Sequence, residues 1–236
     1  LWYIKVIIPA WTFKLFITVP NDLFVNAKKS TNKDIMNFLS IDCSTDSISL
    51  FIKNKNKTFS NILQSDKSNV DELMKQILDF FEKNNMQISD ISEIFVNQGP
   101  GNFSGLRGSL SVAKGISLSK NLKLFGYNTF LWSCVNFFNK KKIIYSIIKF
   151  RERYFFKKFD KNLISLGKIE EITKEKIISD YEDKFIVIPR NMIKHFDKNI
   201  LNLQNLTIVD LNHNDLEFLK FKGLLNQDLI KPLYLS

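Results

Sequence analysis

Cysteine and histidine are scarce in this 236-residue chain. Cys43 and Cys134 stand far apart, His195 and His213 are the only histidines, and none falls in CxxC, HxxxH or HExxH spacing. These absences exclude a zinc centre built from clustered sulfur and imidazole ligands, and they point to a reduced, cytoplasmic protein. Glycine is also sparse, with eight in all, and Gly99, Gly101, Gly105, Gly108 and Gly115 crowd into one stretch, GPGNFSGLRGSLSVAKG. Even there both nucleotide fingerprints are missing. GxxxxGK[ST] fails because Lys114 precedes Gly115, and GxGxxG fails because Ser104 stands where the third glycine belongs. A long apolar run is lacking too. The first twenty residues, LWYIKVIIPAWTFKLFITVP, are broken by Lys5, Pro9, Lys14 and Pro20 and carry neither a basic n-region nor a small-residue cleavage site, so they read as neither membrane span nor signal peptide.

What is present suffices for a packed fold. Apolar residues make up 44% and charged residues 25%, with 22 Phe, enough burial to offset the entropy of ordering the chain. The formal net charge of +10 favours contact with nucleic acid, an acidic membrane or an acidic partner. Lys, Asn, Ile and Phe are abundant throughout, so solvated lysines with no partner are the competing explanation. The chain opens on Leu1, whereas Met36 stands directly before a strand pattern, NFLSID. Residues 1–35 are therefore expected to be an atypical or non-native extension, with a first lobe over 36–138 and a reduced, divergent second lobe over 139–236.

From Met36 the hydrophobic pattern predicts strands at 38–42, 47–52 and 55–60, joined as a meander by polar turns. Val70, Leu73, Met74, Ile77, Leu78 and Phe81 then trace one stripe of a helix, with Ser68 or Asn69 as its cap. A strand at 93–96 runs into the glycine-rich stretch, a helix follows to about Lys120, and a strand covers 123–127. Further strands are expected at 143–149, 154–159, 185–188 and 206–209, with a short helix at 174–179. No internal repeat is visible. The order gives an α/β chain whose hairpin-joined strands pair antiparallel and whose crossover-joined strands pair parallel.

A glycine-rich turn feeding a helix presents free backbone N–H groups and a positive dipole end, which suits an anion. It equally permits unusual backbone angles and close strand-to-helix packing. Two separated stretches, MNFLSIDCSTDSISLFI (36–52) and NQGPGNFSGLRGSLSVAKGISLSKNLKLFGYNT (97–129), resemble the bacterial TsaB (YeaZ) family, whose members carry D-T-S-T after a first strand and later G-P-G-S-F-T-G-L-R and A-K-G. The ending KPLYLS resembles that family's P-x-Y-L tail. Departures are Asn97 in place of Gly, Asn102 in place of Ser, Ser104 in place of Thr, and Gly108–Ser109 where a hydrophobic residue and Gly are usual. Arg151 and Arg153 lie where the second lobe often opens with D-A-R, without the Asp.

The resemblance implies an actin-like, Hsp70-like (ASKHA) two-lobe α/β fold with mixed sheets flanked by helices. It also implies a role in making N6-threonylcarbamoyladenosine in tRNA, as a non-catalytic scaffold or activating subunit. The implied partners are a TsaD-like catalytic subunit, a TsaE-like ATPase and, in a homodimer, a second copy, with tRNA met through the complex and no membrane. No cofactor of its own is implied, with ATP or ADP at the interface with the partner. Pairing would use the helix bearing Val70, Leu73, Met74 and Ile77 and the helix bearing Leu106, Leu110, Ala113 and Lys114, so Leu73→Asp or Ile77→Asp is expected to abolish it. TsaD-like subunits carry HxxxH on the first long helix, and SNVDELMKQILDFF has no histidine.

Residues left for an anion or nucleotide at a shared interface are Asp42, Thr45, Gly101, Ser104 and Arg107. The plainer reading of Asp42 and Ser44 is that they cap the hairpin turn, and Arg107 stands equally between an anion and an acidic residue of the partner. Cys43 reads as a buried filler, and the aromatics of 150–159 read as a half-buried strand rather than a stacking platform. No serine is seen beside a histidine base, which argues against a protease. An ASKHA-type ATPase or small-molecule kinase acting alone is the alternative function.

Overall fold

The computed structural model describes residues 36–63, 70–228 and 230–235, with only the backbone at Val70. Expectations placed on residues 1–35 and on Ser68 or Asn69 lie outside these, and Met36–Ser236 forms one compact unit. Three strands open it, β1 (Phe38–Asp42), β2 (Ile48–Asn54) and β3 (Lys57–Leu63), paired antiparallel. The third strand starts later than its apolar pattern suggests, because Asn54 pairs with Lys57 across a two-residue turn in which Lys55 takes a left-handed φ of 54°. After the 3-10 turn Val70–Glu72 come α1 (Leu73–Lys83), β4 (Glu93–Asn97), α2 (Phe103–Lys120) and β5 (Lys123–Tyr127). The sheet order is β3-β2-β1-β4-β5, with β1, β4 and β5 parallel.

A short helix, α3 (Thr129–Ser133), leads to the second sheet. There β6 (Ile143–Phe150), β7 (Arg153–Asp160) and β8 (Glu170–Ile172) form a second meander, followed by α4 (Lys174–Asp180), β9 (Ile186–Pro189), α5 (Lys198–Leu201) and β10 (Leu206–Val209). Its order is β10-β9-β6-β7-β8, with β6, β9 and β10 parallel. Both sheets thus have the same connectivity of two hairpins and then two parallel crossovers. The repeat escapes the sequence because it lies in topology and not in residue identity. The expected two-lobe α/β fold with mixed sheets holds.

β1 is buried on both faces, since FLSID offers apolar residues in both phases of the strand. Leu39 and Ile41 join Ile94 and Val96 under α1 and α2. On the opposite face Phe38, Phe51, Phe95 and Phe125 share a continuous core with Phe130, Trp132, Ile144 and Ile148.

Beyond β10 the chain returns to the first sheet. Helix α6 (Asp215–Phe221) is tied to it by ion pairs, Glu217 with Lys53 and Lys220 with Glu93. Asn226 and Gly126 exchange backbone hydrogen bonds, the Gln98 amide donates to the Lys231 carbonyl at 2.8 Å, and Ile230 is buried in the α1–α2 core. His213 sits between the lobes. Its Nδ1 is 2.9 Å from Ser40 Oγ and its Nε2 3.0 Å from Ser49 Oγ, while its ring lies against Phe51 and Trp132.

Burial holds the His213 imidazole down at about 4, against an ordinary 6.5. The imidazole stays neutral in the fold and takes up a proton on unfolding below pH 6.5. Its contribution is therefore complete above about pH 6.5 and is lost as pH falls through that value toward 4. The difference amounts to roughly 3 kcal/mol. Urea unfolding between pH 7 and 4 should show this acid-dependent loss in the parent and not in His213→Asn. The Asp42 carboxyl, raised by burial, is common to both proteins and cancels in the comparison. Parallel pH profiles would remove His213 as the cause.

Candidate functional site

The glycine-rich loop packs directly on the turn after β1. A Cβ placed on Gly101 would come 2.0 Å from the Ser44 carbonyl oxygen, and one on Gly105 would come 2.2 Å from that of Cys43. Neither distance admits a side chain. The Asn102 N–H donates to the same Ser44 carbonyl at 2.9 Å, and the Asn102 side chain accepts the Ser104 N–H at 3.1 Å, capping α2. Beneath the loop Asn97 is fully buried and works as a hub. Its Nδ2 lies 3.1 Å from Asp42 Oδ1, 3.3 Å from Ser44 Oγ and 3.0 Å from Thr129 Oγ1, while its Oδ1 accepts the Gly99 N–H at 2.9 Å.

Around this hub the candidate anion residues divide. Asp42 is buried and accepts the Ser44 N–H at 2.9 Å, as the capping reading expects, and burial raises its pKa despite these bonds. Thr45 turns toward Ser47. Gly101 abuts the turn. Ser104 and Arg107 face outward along α2, the Arg107 guanidinium lying 5.0 Å from the Phe103 ring centre. The structure therefore gathers Asp42, Thr45 and Gly101 and leaves Arg107 one helical turn away. Cys43 and Cys134 are buried, and burial raises both thiols, Cys134 to about 12.

The residues offered for pairing divide between core and surface. Leu73, Ile77, Leu106, Leu110 and Ala113 lie inside the first lobe, Leu73 and Ile77 at 0% exposure. They are the stripes that seat the helices on the sheet, so they present no surface, and an Asp at 73 or 77 would cost several kcal/mol of folding stability rather than report on an interface. Of the residues offered, Met74 (38%) is exposed, and Leu78 (46%) and Leu118 (84%) are exposed beside it on the same two helices. Lys114 is exposed as well, beside Gly115, above which a Cβ would meet open space.

His213 corrects a further expectation, because a histidine does stand beside serines. Ser40, however, is fully buried, with its hydroxyl also 3.2 Å from the Tyr127 hydroxyl. The imidazole is a weak base at about 4, and no carboxylate is bonded to it among the described residues. The trio ties the segment after β10 to β1 and β2. The signal lay 164 and 173 residues away in sequence from its partners, beyond any local pattern.

A family model described as TsaD, tRNA N6-adenosine threonylcarbamoyltransferase, matches residues 61–145. Over 106 residues the chain is 31% identical to the tRNA threonylcarbamoyladenosine biosynthesis protein TsaB of Buchnera aphidicola subsp. Baizongia pistaciae, covering 44% of this chain and 48% of that protein. Over 96 residues it is 23% identical to the TsaB of Escherichia coli K12, covering 41% and 42%. The chain thus spans about half the length of these curated relatives. YeaZ from Pseudomonas aeruginosa superposes with a TM-score of 0.62 at 14% identity, over 85% of this chain and all of that one. The likeness is to the TsaB/YeaZ family. A second solved structure, from Pseudomonas aeruginosa and described as similar to peptidase YeaZ, gives a TM-score of 0.64, again at 14% identity, over 85% of this chain and 100% of that one.

Against the TsaB/YeaZ pattern, two departures acquire a physical account. Asn97, where Gly is usual, supplies the hub under the loop, and Asn102, where Ser is usual, caps α2 with equal chemistry. Gly108 leaves α2 unbroken from Phe103 to Lys120, with the Ser109 hydroxyl turned back onto the Leu106 carbonyl.

Two alanine substitutions should separate close packing from helix propensity. Gly101→Ala is expected to lose about 2 kcal/mol or more, because backbone rather than a flexible side chain must move. Gly115→Ala should gain up to about 1 kcal/mol on the open face of α2. Denaturant midpoints measure both, and a Gly101→Ala protein as stable as its parent would contradict the contact.

Proposed function

We propose that the chain is a subunit of the tRNA N6-threonylcarbamoyladenosine machinery that acts by pairing with a TsaD-like transferase. In this reading it performs no chemistry of its own and works in the cytoplasm, where tRNA is modified. The observation that carries the reading is the joint presence of the TsaB/YeaZ likeness and an outward helical face that the fold leaves uncovered. Helices α1 and α2 lie side by side on one face of the first sheet. Their inward stripes are spent on the core, while Met74, Leu78 and Leu118 remain in solvent with Lys114 among them. The exposed part of these apolar side chains gains nothing in the isolated chain and is released from water by a partner.

In mechanism, such pairing holds the transferase in its active conformation. A nucleotide at the shared interface would approach the turn at Thr45 and the Arg107 guanidinium, and a TsaE-like ATPase would act on the assembled pair. A homodimer through the same face competes with the heterodimer, since both cover one surface.

The test is threonylcarbamoyladenosine formation on tRNA, reconstituted from the cognate TsaC, TsaD and TsaE proteins with and without this chain. Formation should depend on the chain. Leu118→Asp should weaken pairing by at least tenfold while thermal unfolding is unchanged, because that side chain is 84% exposed. Independence from the added, folded chain would overturn the proposal and favour an ATPase acting alone, which magnesium-dependent ATP turnover by the chain itself would reveal.

A further inference from the structure

Positive charge is unevenly spread. Residues 139–168 hold ten Lys or Arg against two Asp or Glu, leaving 24 against 22 in the other 206 residues. A general surplus of solvated lysine would not concentrate in this way. The segment is the β6–β7 hairpin with its flanking loops, and the pairing gathers most of its charge at one end. Ile143 pairs with Asp160, and the Asn139 N–H donates to the Lys161 carbonyl at 2.7 Å, which brings Lys140, Lys141 and Lys142 beside Lys161. The Leu166 N–H donates to the Lys158 carbonyl at 2.9 Å and folds the loop carrying Lys168 onto the same end.

None of these six lysines forms an ion pair among the described residues. Asp160, the carboxylate in their midst, accepts the Asn162 and Ile164 N–H groups on its Oδ1 at 2.9 and 2.8 Å. Glu152 lies at the far turn with Lys149, and Glu171 pairs with Arg153. The Lys141 ammonium rests 4.4 Å from the Phe185 ring centre and that of Lys158 5.7 Å from the Tyr145 ring centre, so these two are held on aromatic faces, while Lys140, Lys142 and Lys161 stay exposed.

We infer that this end of the β6–β7 hairpin is a binding surface for the phosphate backbone of a folded RNA. The inference rests on the tRNA-modification reading for the choice of RNA. Lysine engages phosphate as a mobile point charge without reading bases. Base stacking is not part of it, since Tyr154, Phe155, Phe156 and Phe159 are buried in the lobe. The competing polyanion is an acidic lipid surface, toward which Ile164 and Leu166 stand exposed in the same loop.

The experiment measures binding of the full chain to a labelled unmodified tRNA transcript by fluorescence anisotropy over a range of salt. The triple variant Lys140→Ala, Lys142→Ala, Lys161→Ala is compared with an equally charged control, Lys176→Ala, Lys194→Ala, Lys198→Ala, drawn from exposed lysines elsewhere in the lobe. The hairpin variant should bind at least tenfold more weakly and flatten the slope of log affinity against log salt by about two to three, with the control within about threefold of the parent. Equal losses in both variants, or no binding by the parent, overturn the inference. So does hairpin-dependent binding to phosphatidylserine vesicles together with hairpin-independent binding to tRNA. The binding assay needs no partner protein, so failure of the reconstituted modification leaves the RNA surface standing, and a null result here leaves the pairing role standing.

Discussion

The backbone of the turn after β1 and the backbone of the loop before α2 touch with no room for a methyl group between them. Helix α2 begins where it does because Gly101 and Gly105 allow that approach. From this contact follow the seating of Leu110, Ala113 and Ile116 on the sheet and the line along which the outward residues of α2 run. Asn97 holds the arrangement from below by joining the turn, the loop and the start of α3 through one buried amide. Leaving any of its polar atoms unpaired in that interior would cost about 1–3 kcal/mol, more than the bond's own net contribution of about 1 kcal/mol.

How much of this was legible follows from the range of the interactions. The first lobe reads from its pattern because strand alternation and the helical stripe are local, so 38–42 and 123–127 emerge with the boundaries they have. The second lobe reads less well, since β8 is three residues long, α5 only four, and neither carries a full period. The shared connectivity of the two sheets left no trace in residue identities, because hairpins and crossovers constrain burial phase and turn geometry rather than particular side chains. His213 was invisible for a different reason: a buried polar bridge has a meaning only when its partners are in view.

The pairing residues illustrate a more general confusion. The apolar stripe that announces an amphipathic helix is by construction the face that the fold consumes. A surface for another protein has to be sought on the flank of the stripe, where Met74 and Leu78 lie, or off it, as with Leu118, which no periodicity singles out. The Asp42 turn was easier, since an acid two residues before a backbone N–H it can accept is a local motif. The basic hairpin needed both levels: the count is in the sequence, whereas the absence of paired carboxylates around Lys140, Lys142 and Lys161 belongs to the fold.

Residues 225–228 and 230–235 complete the first lobe. They supply Ile230 to its core, two backbone bonds to the Gly126 edge, the carbonyl that satisfies Gln98, and Tyr234, stacked 5.3 Å from Phe103 at the start of α2. A ribosome makes them after the whole second lobe. The lobe synthesised first is therefore the last to be finished, and until then it holds its β5 edge and the base of its glycine loop open to whatever binds nascent chains.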